Sequence, residues 1–541
     1  MSLALHRPLL ICAVFAAGVA WGCTYPITEA PAAEGSNDET TQGCFVGALG
    51  CSCTNGGGCD PGLECVAGIC EEAETETETG ECVDVGCPCT LDEDCGAELL
   101  CEAGMCVSTT CGDGILDPQE ECDDGDAFDG DGCDSDCTRT EILKLALGGL
   151  HTCALIEGGR VRCWGSNGTG QIGLGAPGNI GDDELASAAV DLPLPAVVDL
   201  IAGGAHTCAI LENGDLRCWG FNTSGQLGLG NTAAVFALGD DETIDNGTTT
   251  ELGGPVQDVG MGVVQTCAAV EGALRCFGGG VYGQLGINGV QNVGDDELPL
   301  SIDPVQLGAE AMALAVAGSH GCALTATGAV RCWGRADSGQ LGYGNAQNIG
   351  DNEHPLVAGE VMVIPPTQPP GTSIVDIGAG LAHTCVLLSS EQVLCWGANS
   401  NGELGQGNNQ AWGNDPGETP SALMPIQLNG SVTQLAVGYQ HNCALLDNGD
   451  VRCWGIGAGG QLGYANDNNL GDDELVIDED PVEIGGPALA IYAGGAHSCA
   501  IRDDFEVLCW GSNDFGQLGY GFVIDIGDDE IPEIAGPVSI L

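Results

Sequence analysis

Basic residues are scarce in this chain: 11 Lys plus Arg stand against 78 Asp plus Glu, a formal charge of −67 over 541 residues. Nucleic acids and anionic membrane surfaces bind through basic patches, so both are excluded as partners. Aromatic residues make up only 4%, while 90 glycines interrupt any helical periodicity. That balance excludes a helical bundle and fits a turn-rich β fold. After residue 22 no stretch holds the roughly 18 apolar residues that a membrane-spanning helix needs. Nucleophile elbows, phosphate-cradling loops and acid–base pairs do not stand out either. What repeats is a poor catalyst, since an active site needs different groups converging on one spot.

Cysteine, in contrast, is abundant. The 32 cysteines place the chain in an oxidising compartment. Seven copies of one unit begin at His151, His206, Gln265, His320, His383, His441 and His497; the sixth reads HNCALLDNGDVRCWG. Read as a β-hairpin, this copy places Asp447, Asn448 and Gly449 in a three-residue loop, with Gly449 at positive φ. The register then sets Cys443 opposite Cys453, at about 4.5–5.5 Å between Cα atoms, within disulfide range. The third copy is one residue shorter, and a two-residue turn at Glu271–Gly272 keeps Cys267 opposite Cys276. The same pairing is expected of Cys153 with Cys163, Cys208 with Cys218, Cys322 with Cys332, Cys385 with Cys395 and Cys499 with Cys509. A zinc site is the competing reading, but a cysteine pair with no second pair nearby makes a poor one.

The N-terminal region divides by composition. Residues 1–22 read as a signal peptide, with His6 and Arg7 ahead of an apolar run from Leu9 to Ala20. Ala20-Trp21-Gly22-Cys23 resembles the lipobox of bacterial lipoproteins, which implies a lipid on Cys23. Cysteine parity agrees: losing Cys12 leaves 31, and lipidating Cys23 leaves 30 that can all pair. Ordinary cleavage with a leftover thiol is the alternative. Membrane contact is then through this anchor alone, and the expected location is the bacterial envelope, as an outer-membrane or cell-surface lipoprotein, or else secretion. Residues 23–43 are a flexible tether, 44–70 and 82–106 two related six-cysteine modules, and 71–81 a self-repelling acidic linker. Six cysteines in a module allow 15 pairings, so connectivity within residues 44–137 stays open.

Residues 111–137 (CGDG, then ECDDG, then DGDGC and a final cysteine) resemble the four-cysteine myxobacterial disulfide repeat, which implies a bacterial surface protein. Asp124, Asp126, Asp129, Asp131, Asp134 and Asp136 alternate there with small residues and offer oxygens for calcium. A disulfide-stapled acidic turn explains them equally. Calcium is the one cofactor considered.

Residues 141–541 hold the seven repeats. Around each hairpin lie an apolar stretch, such as Ala488–Tyr492, and a Pro-Val stretch, such as Pro481–Ile484, making four strands per repeat, the content of one propeller blade. Repeat one starts without a Pro-Val strand, while Pro537–Leu541 is a Pro-Val strand without a repeat. The expected fold is therefore an all-β, seven-bladed β-propeller of four-stranded blades, its ring closed by the C-terminal strand. Cys218-Trp219-Gly220-Phe221-Asn222 followed by Gly225-Gln226-Leu227-Gly228, with Ala202-Gly203-Gly204-Ala205-His206 ahead, resembles the repeats of the regulator of chromosome condensation family. The resemblance implies a seven-bladed propeller with such closure. It also implies protein binding, since the family includes a nucleotide exchange factor for a nuclear GTPase and a secreted β-lactamase inhibitor. A nuclear exchange role conflicts with the signal peptide, the paired cysteines and the acidity.

The histidines, one per blade, read as scaffold bonded to neighbouring backbone, and the tryptophans as inter-blade packing. Arg162, Arg217, Arg275, Arg331 and Arg452, before five of the second cysteines, are expected to pair with carboxylates of the blade; Leu394 and Leu508 replace them in the other two. The candidate binding residues sit in a Gly-Asp-Asp-Glu loop before each next blade: Asp182, Asp183 and Glu184; Asp240, Asp241 and Glu242; Asp295, Asp296 and Glu297; Asp472, Asp473 and Glu474; Asp528, Asp529 and Glu530. A ring of such loops suits calcium or a basic partner, against the plainer reading of solvated turns. The function expected is macromolecular recognition, of a protein or a polysaccharide, without catalysis. An extracellular enzyme with a site in the central cleft is the alternative.

Overall fold

The computed structural model describes residues 132–541, apart from 136, 233–236, 240–243 and 245–248, together with residues 122–123 and four short strands nearer the N-terminus. Those strands form two hairpins. Leu63–Val66 pairs with Ile69–Glu72, setting Cys65 opposite Cys70, and Leu99–Glu102 pairs with Met105–Ser108. Cys122 is bonded to Cys133. Residues 1–62, Cys23 among them, lie outside the described residues, as do Asp124, Asp126, Asp129, Asp131 and Asp136. Asp134 is described, and its Oδ1 accepts the Thr140 hydroxyl at 2.7 Å.

Seven antiparallel sheets follow, one per repeat. In the sixth, Val432–Val437 pairs with His441–Leu446, which pairs with Val451–Gly455. Every middle strand is buried along its length, apart from Arg502 at the end of the seventh. A strand covered on both faces reads as a continuous apolar run, and Cys-Ala-Leu-Leu is such a run. Three strands make the regular sheet. The second sheet adds Ala237–Leu238 as a fourth, and elsewhere this edge shrinks to a bridge such as Gly455 to Leu470.

The hairpin expectation holds in detail. Cys443 faces Cys453 and Leu445 faces Val451, across a loop in which Gly449 has φ 86°. In the third sheet Val270 faces Ala273 across a two-residue turn, with Glu271 at φ 48° and Gly272 at 81°, the left-handed pair that a tight hairpin needs. All seven disulfides form. Cys153 is bonded to Cys163, Cys208 to Cys218, Cys267 to Cys276 and Cys322 to Cys332. Cys385 is bonded to Cys395, Cys443 to Cys453 and Cys499 to Cys509. Their Cα separations are 4.0–4.1 Å. Here the expectation needs a correction, because that spacing is tighter than the range from which the pairing was argued. Each pair, from Cys153 and Cys163 to Cys499 and Cys509, is of the narrow, non-hydrogen-bonded cross-strand type.

The Pro-Val stretches differ from expectation. Val482 N–H bonds the carbonyl of Val451, in the preceding hairpin, and Val538 N–H likewise bonds Val507 in its own repeat. The C-terminal segment thus lies along the seventh sheet, and its links to the first repeat are the Arg162 guanidinium on the Ile540 carbonyl and the Ser539 hydroxyl on that of Ser187. A short stretch between two blades can pair with either, and a short chain path favours the hairpin it has just left. Seventh and first sheets meet through the bonds that join other neighbours, Gly495 N–H to Gly148 carbonyl and Trp164 indole N–H to Gln517 carbonyl.

One regular feature was not anticipated. Each first strand carries a bulge near its start, as between Val432 and Gln434, opposite Leu446 and Leu445. Leu143, Val198, Gln257, Met312, Val375, Thr433 and Leu489 are the seven extra residues, all exposed.

Candidate functional site

The histidines come first because they look chemical. His151 Nε2 meets the Thr207 hydroxyl of the next sheet at 2.8 Å, and Thr207 donates to the Gln171 carbonyl. The same pattern links His206 to Thr266, His320 to Thr384, His383 to Asn442, His441 to Ser498 and, back across the ring, His497 to Thr152. Because each hydroxyl spends its proton on a carbonyl, the imidazole must donate from Nε2, leaving Nδ1 bare. The Nδ1 atoms of His151, His206, His320, His441 and His497 are buried with no partner among the described residues. Burial pushes His151 down to about 4 and His206, His320, His441 and His497 to about 3, so they stay neutral. These residues hold blade to blade, through side chains rather than the backbone partners expected.

The tryptophans reinforce the same seams. The Gln461 carbonyl receives both the Ser498 hydroxyl and the Trp510 indole N–H, and Trp164, Trp219, Trp333, Trp396 and Trp454 donate to the equivalent carbonyl one blade back. The arginines meet expectation in part. Arg162 pairs with Asp191 at 2.6 Å and Arg331 with Glu360 at 3.5 Å, but Arg275 bonds the carbonyls of Pro299 and Ile302, and Arg452 those of Val476 and Glu479. Their role is to tie down the long connections.

Those connections carry the acidic loops. Each leaves the end of its third strand through a bridge, such as Gly278 to Val293 or Gly511 to Ile526, so all emerge from the end of the sheet opposite the hairpin turns. The leading glycine is structural: at Gly294, with φ 92°, a Cβ would collide with the Gly225 carbonyl of the previous blade. Past it the carboxylates cluster, some accepting N–H groups of their own turn. Asp182, Asp183 and Glu184 can bring one oxygen each within 4.8 Å of one another, as can Asp295, Asp296 and Glu297, Asp472, Asp473 and Glu474, and Asp528, Asp529 and Glu530. Partial desolvation, then the neighbouring aspartates, push Glu297, Glu474 and Glu530 up to about 7 and raise Glu184. Three oxygens on one turn, unneutralised, are a donor set suited to a hard cation such as calcium or to a cationic side chain. Asp240, Asp241 and Glu242 lie outside the described residues.

A second group escaped sequence reasoning. The residue after each bulge holds the same place in every first strand: Lys144, Asp199, Asp258, Ala313, Asp376, Gln434 and Ala490 in blade order. Lys144, Asp376 and Gln434 line an axial cavity of about 400 Å³. Lys144 pairs with Asp199 at 2.5 Å. Gln434 clasps Ile491 of the next blade with both amide atoms. Burial raises Asp258 and Asp376 above the usual carboxylate range.

The architecture defines a β-propeller built from repeated, disulfide-stapled blades. Six segments match the family model for the regulator of chromosome condensation (RCC1) repeat: residues 142–171, 197–226, 315–340, 374–403, 432–461 and 489–517. A second model of the same description matches 390–445. The chain thus carries six RCC1 repeats. It is 26% identical over 411 residues to the ultraviolet-B receptor UVR8 of Arabidopsis thaliana, covering 74% of this chain and 83% of that one. Identity is 29% to the human E3 ubiquitin-protein ligase HERC2, over 71% of this chain but only 7% of that protein, so ligase activity does not carry over. Among solved structures, yeast RCC1 (Prp20) bound to Kap60 superposes with a TM-score of 0.52 at 18% identity, covering 77% of this chain and 90% of that one. Prp20p of Saccharomyces cerevisiae, described with its binding to Gsp1p and histones, gives 0.50 at 20% identity, over 66% and 82%. At such identities the likeness shows the fold.

Proposed function

We propose that this chain is a non-enzymatic binding protein. It presents a propeller at a bacterial cell surface, anchored by lipid on Cys23 and raised on the tether and cysteine-rich modules of residues 23–137. The observation that carries this reading is the division of labour within the repeat. The residues that look reactive in isolation (His, Trp, Gln) are consumed in joining blades, and the exposed carboxylates of the loops are left to meet a partner. The relatives support it in kind, since the yeast protein binds other proteins. For this chain the partner is a macromolecule with a cationic surface, or one bridged by calcium held in the loops.

The test is a pull-down with the full chain, with and without calcium, beside a variant in which Asp296, Glu297, Asp473 and Glu474 are made amides. Retention of a specific partner by the wild type, lost in the variant, is the expected result. Turnover of a defined polysaccharide or peptide that survives those changes would instead establish the enzyme reading. For the anchor, cells fed a labelled fatty acid should label the protein, and Cys23→Ser should abolish the label.

A further inference from the structure

From the bulge ring and the axial residues beneath it, we infer that the hairpin-turn face of the propeller is a second docking surface, for a peptide segment presenting one lysine or arginine between apolar side chains. The inference rests on the binding reading above and specifies a face and a partner chemistry for it. Five of the seven bulge residues are large and apolar. Leu143 is 50% exposed, Val198 57%, Met312 61%, Val375 52% and Leu489 51%. A single exposed apolar residue needs no explanation, but five at one structural position, set round one opening, form a collar. No pressure of folding demands them, since Gln257 and Thr433 fill the same position in the other two blades.

Immediately inside the collar the charge is unbalanced. Lys144 is occupied by Asp199 at 2.5 Å. Asp376 accepts the backbone N–H of Ile377, and Asp258 is held by the N–H groups of Val259 and Leu314. Among the described residues neither carboxylate has an ion-pair partner in contact, although each is half-buried; Lys144 acts on Asp258 only from beyond contact. A buried carboxylate without a cation is costly, and a cation supplied from outside relieves that cost. The cavity of about 400 Å³ has room for one long basic side chain, whose flanking residues would then rest on the collar. These groups differ from blade to blade, as a specific site requires and a repeat template does not.

The probe is a fluorescent pentapeptide, acetyl-Leu-Phe-Lys-Phe-Leu-amide, titrated into the full chain by anisotropy. The expected result is saturable binding that weakens at least tenfold when the peptide's lysine is replaced by glutamine. The same loss should follow Asp258→Asn with Asp376→Asn, which keep the oxygens that accept backbone N–H groups. Met312→Asp, on the collar, should weaken binding without touching the well, and unchanged melting temperatures certify that the variants fold. Absence of saturable binding overturns the inference, as does binding indifferent to the Asp258 and Asp376 changes. Binding lost instead on Asp296→Asn with Glu297→Gln, at the opposite face, overturns it too and leaves the general binding reading standing.

Discussion

At the residue scale, the third loop position of the hairpin shows local geometry acting through a single Cβ. Gly449 fills it with φ 86°, while Glu391 and Phe505 hold the same left-handed conformation at 62° and 66°. A side chain there costs about 1 kcal/mol relative to glycine. Glu391 is exposed and makes no ion pair among the described residues, so Glu391→Gly should remove that cost alone. A stabilisation of about 1 kcal/mol by denaturant titration is expected. A loss of stability would show that Glu391 makes a contact worth more than its strain.

At the scale of the element, the seam between the third and fourth sheets is where the repeat breaks its own rules together. Gln265 replaces histidine, and the residue that would receive its Nε2 proton is Gly321 rather than Thr, Ser or Asn. Gln265 bonds the His320 carbonyl instead, at 3.0 Å. The two departures compensate, because an imidazole facing Gly321 would bury a donor with nothing to receive it. Gln265→His alone should cost about 1–3 kcal/mol. Gly321→Thr alone should also cost stability, since its Cβ would lie 2.8 Å from the buried Trp333 ring, but the pair should lose less than the sum of the two, a coupling that a double-mutant cycle reads directly. Additive losses would mean the relay is not the unit of cohesion. This seam also marks what sequence could reveal. The shortened turn at Glu271–Gly272 made the pairing of Cys267 with Cys276 legible, because the period of two admits one register. The reciprocal change at Gly321 was not legible, since its meaning depends on which blades touch. The bulges were hidden for another reason: an extra residue such as Val198 or Leu489 is an ordinary strand residue that brings no turn signal. The axial group stayed hidden with them, because Lys144, Asp258 and Asp376 differ by blade and read as scatter within a template.

At the scale of the whole molecule, the belt of buried histidines that joins the blades and the acidic loops act in opposite directions on stability as pH changes. The buried histidines have folded pKa values of about 3 to 4, below the ordinary 6.5. Their contribution is complete above pH 6.5 and is lost as pH falls from there toward 3, because the unfolded chain takes up the protons first. Each adds a slope of about 1.4 kcal/mol per pH unit within that window. The loop glutamates behave inversely. Glu297, Glu474 and Glu530 titrate near 7 in the fold against 4.5 ordinarily, so what they contribute is present below pH 4.5 and lost as pH rises to 7. Their loops stand largely in solvent and screening shrinks their share, so the histidines dominate. The melting temperature should therefore fall steeply on acidification below pH 6.5, with several protons taken up on unfolding. Calcium should raise it more at pH 7 than at pH 4.5, where Glu297, Glu474 and Glu530 hold their protons. A melting temperature flat from pH 7 to 4 would contradict the neutral belt. A calcium effect equal at both pH values would move the ion away from the loops, and with it the reason for the acidic turns to share one face.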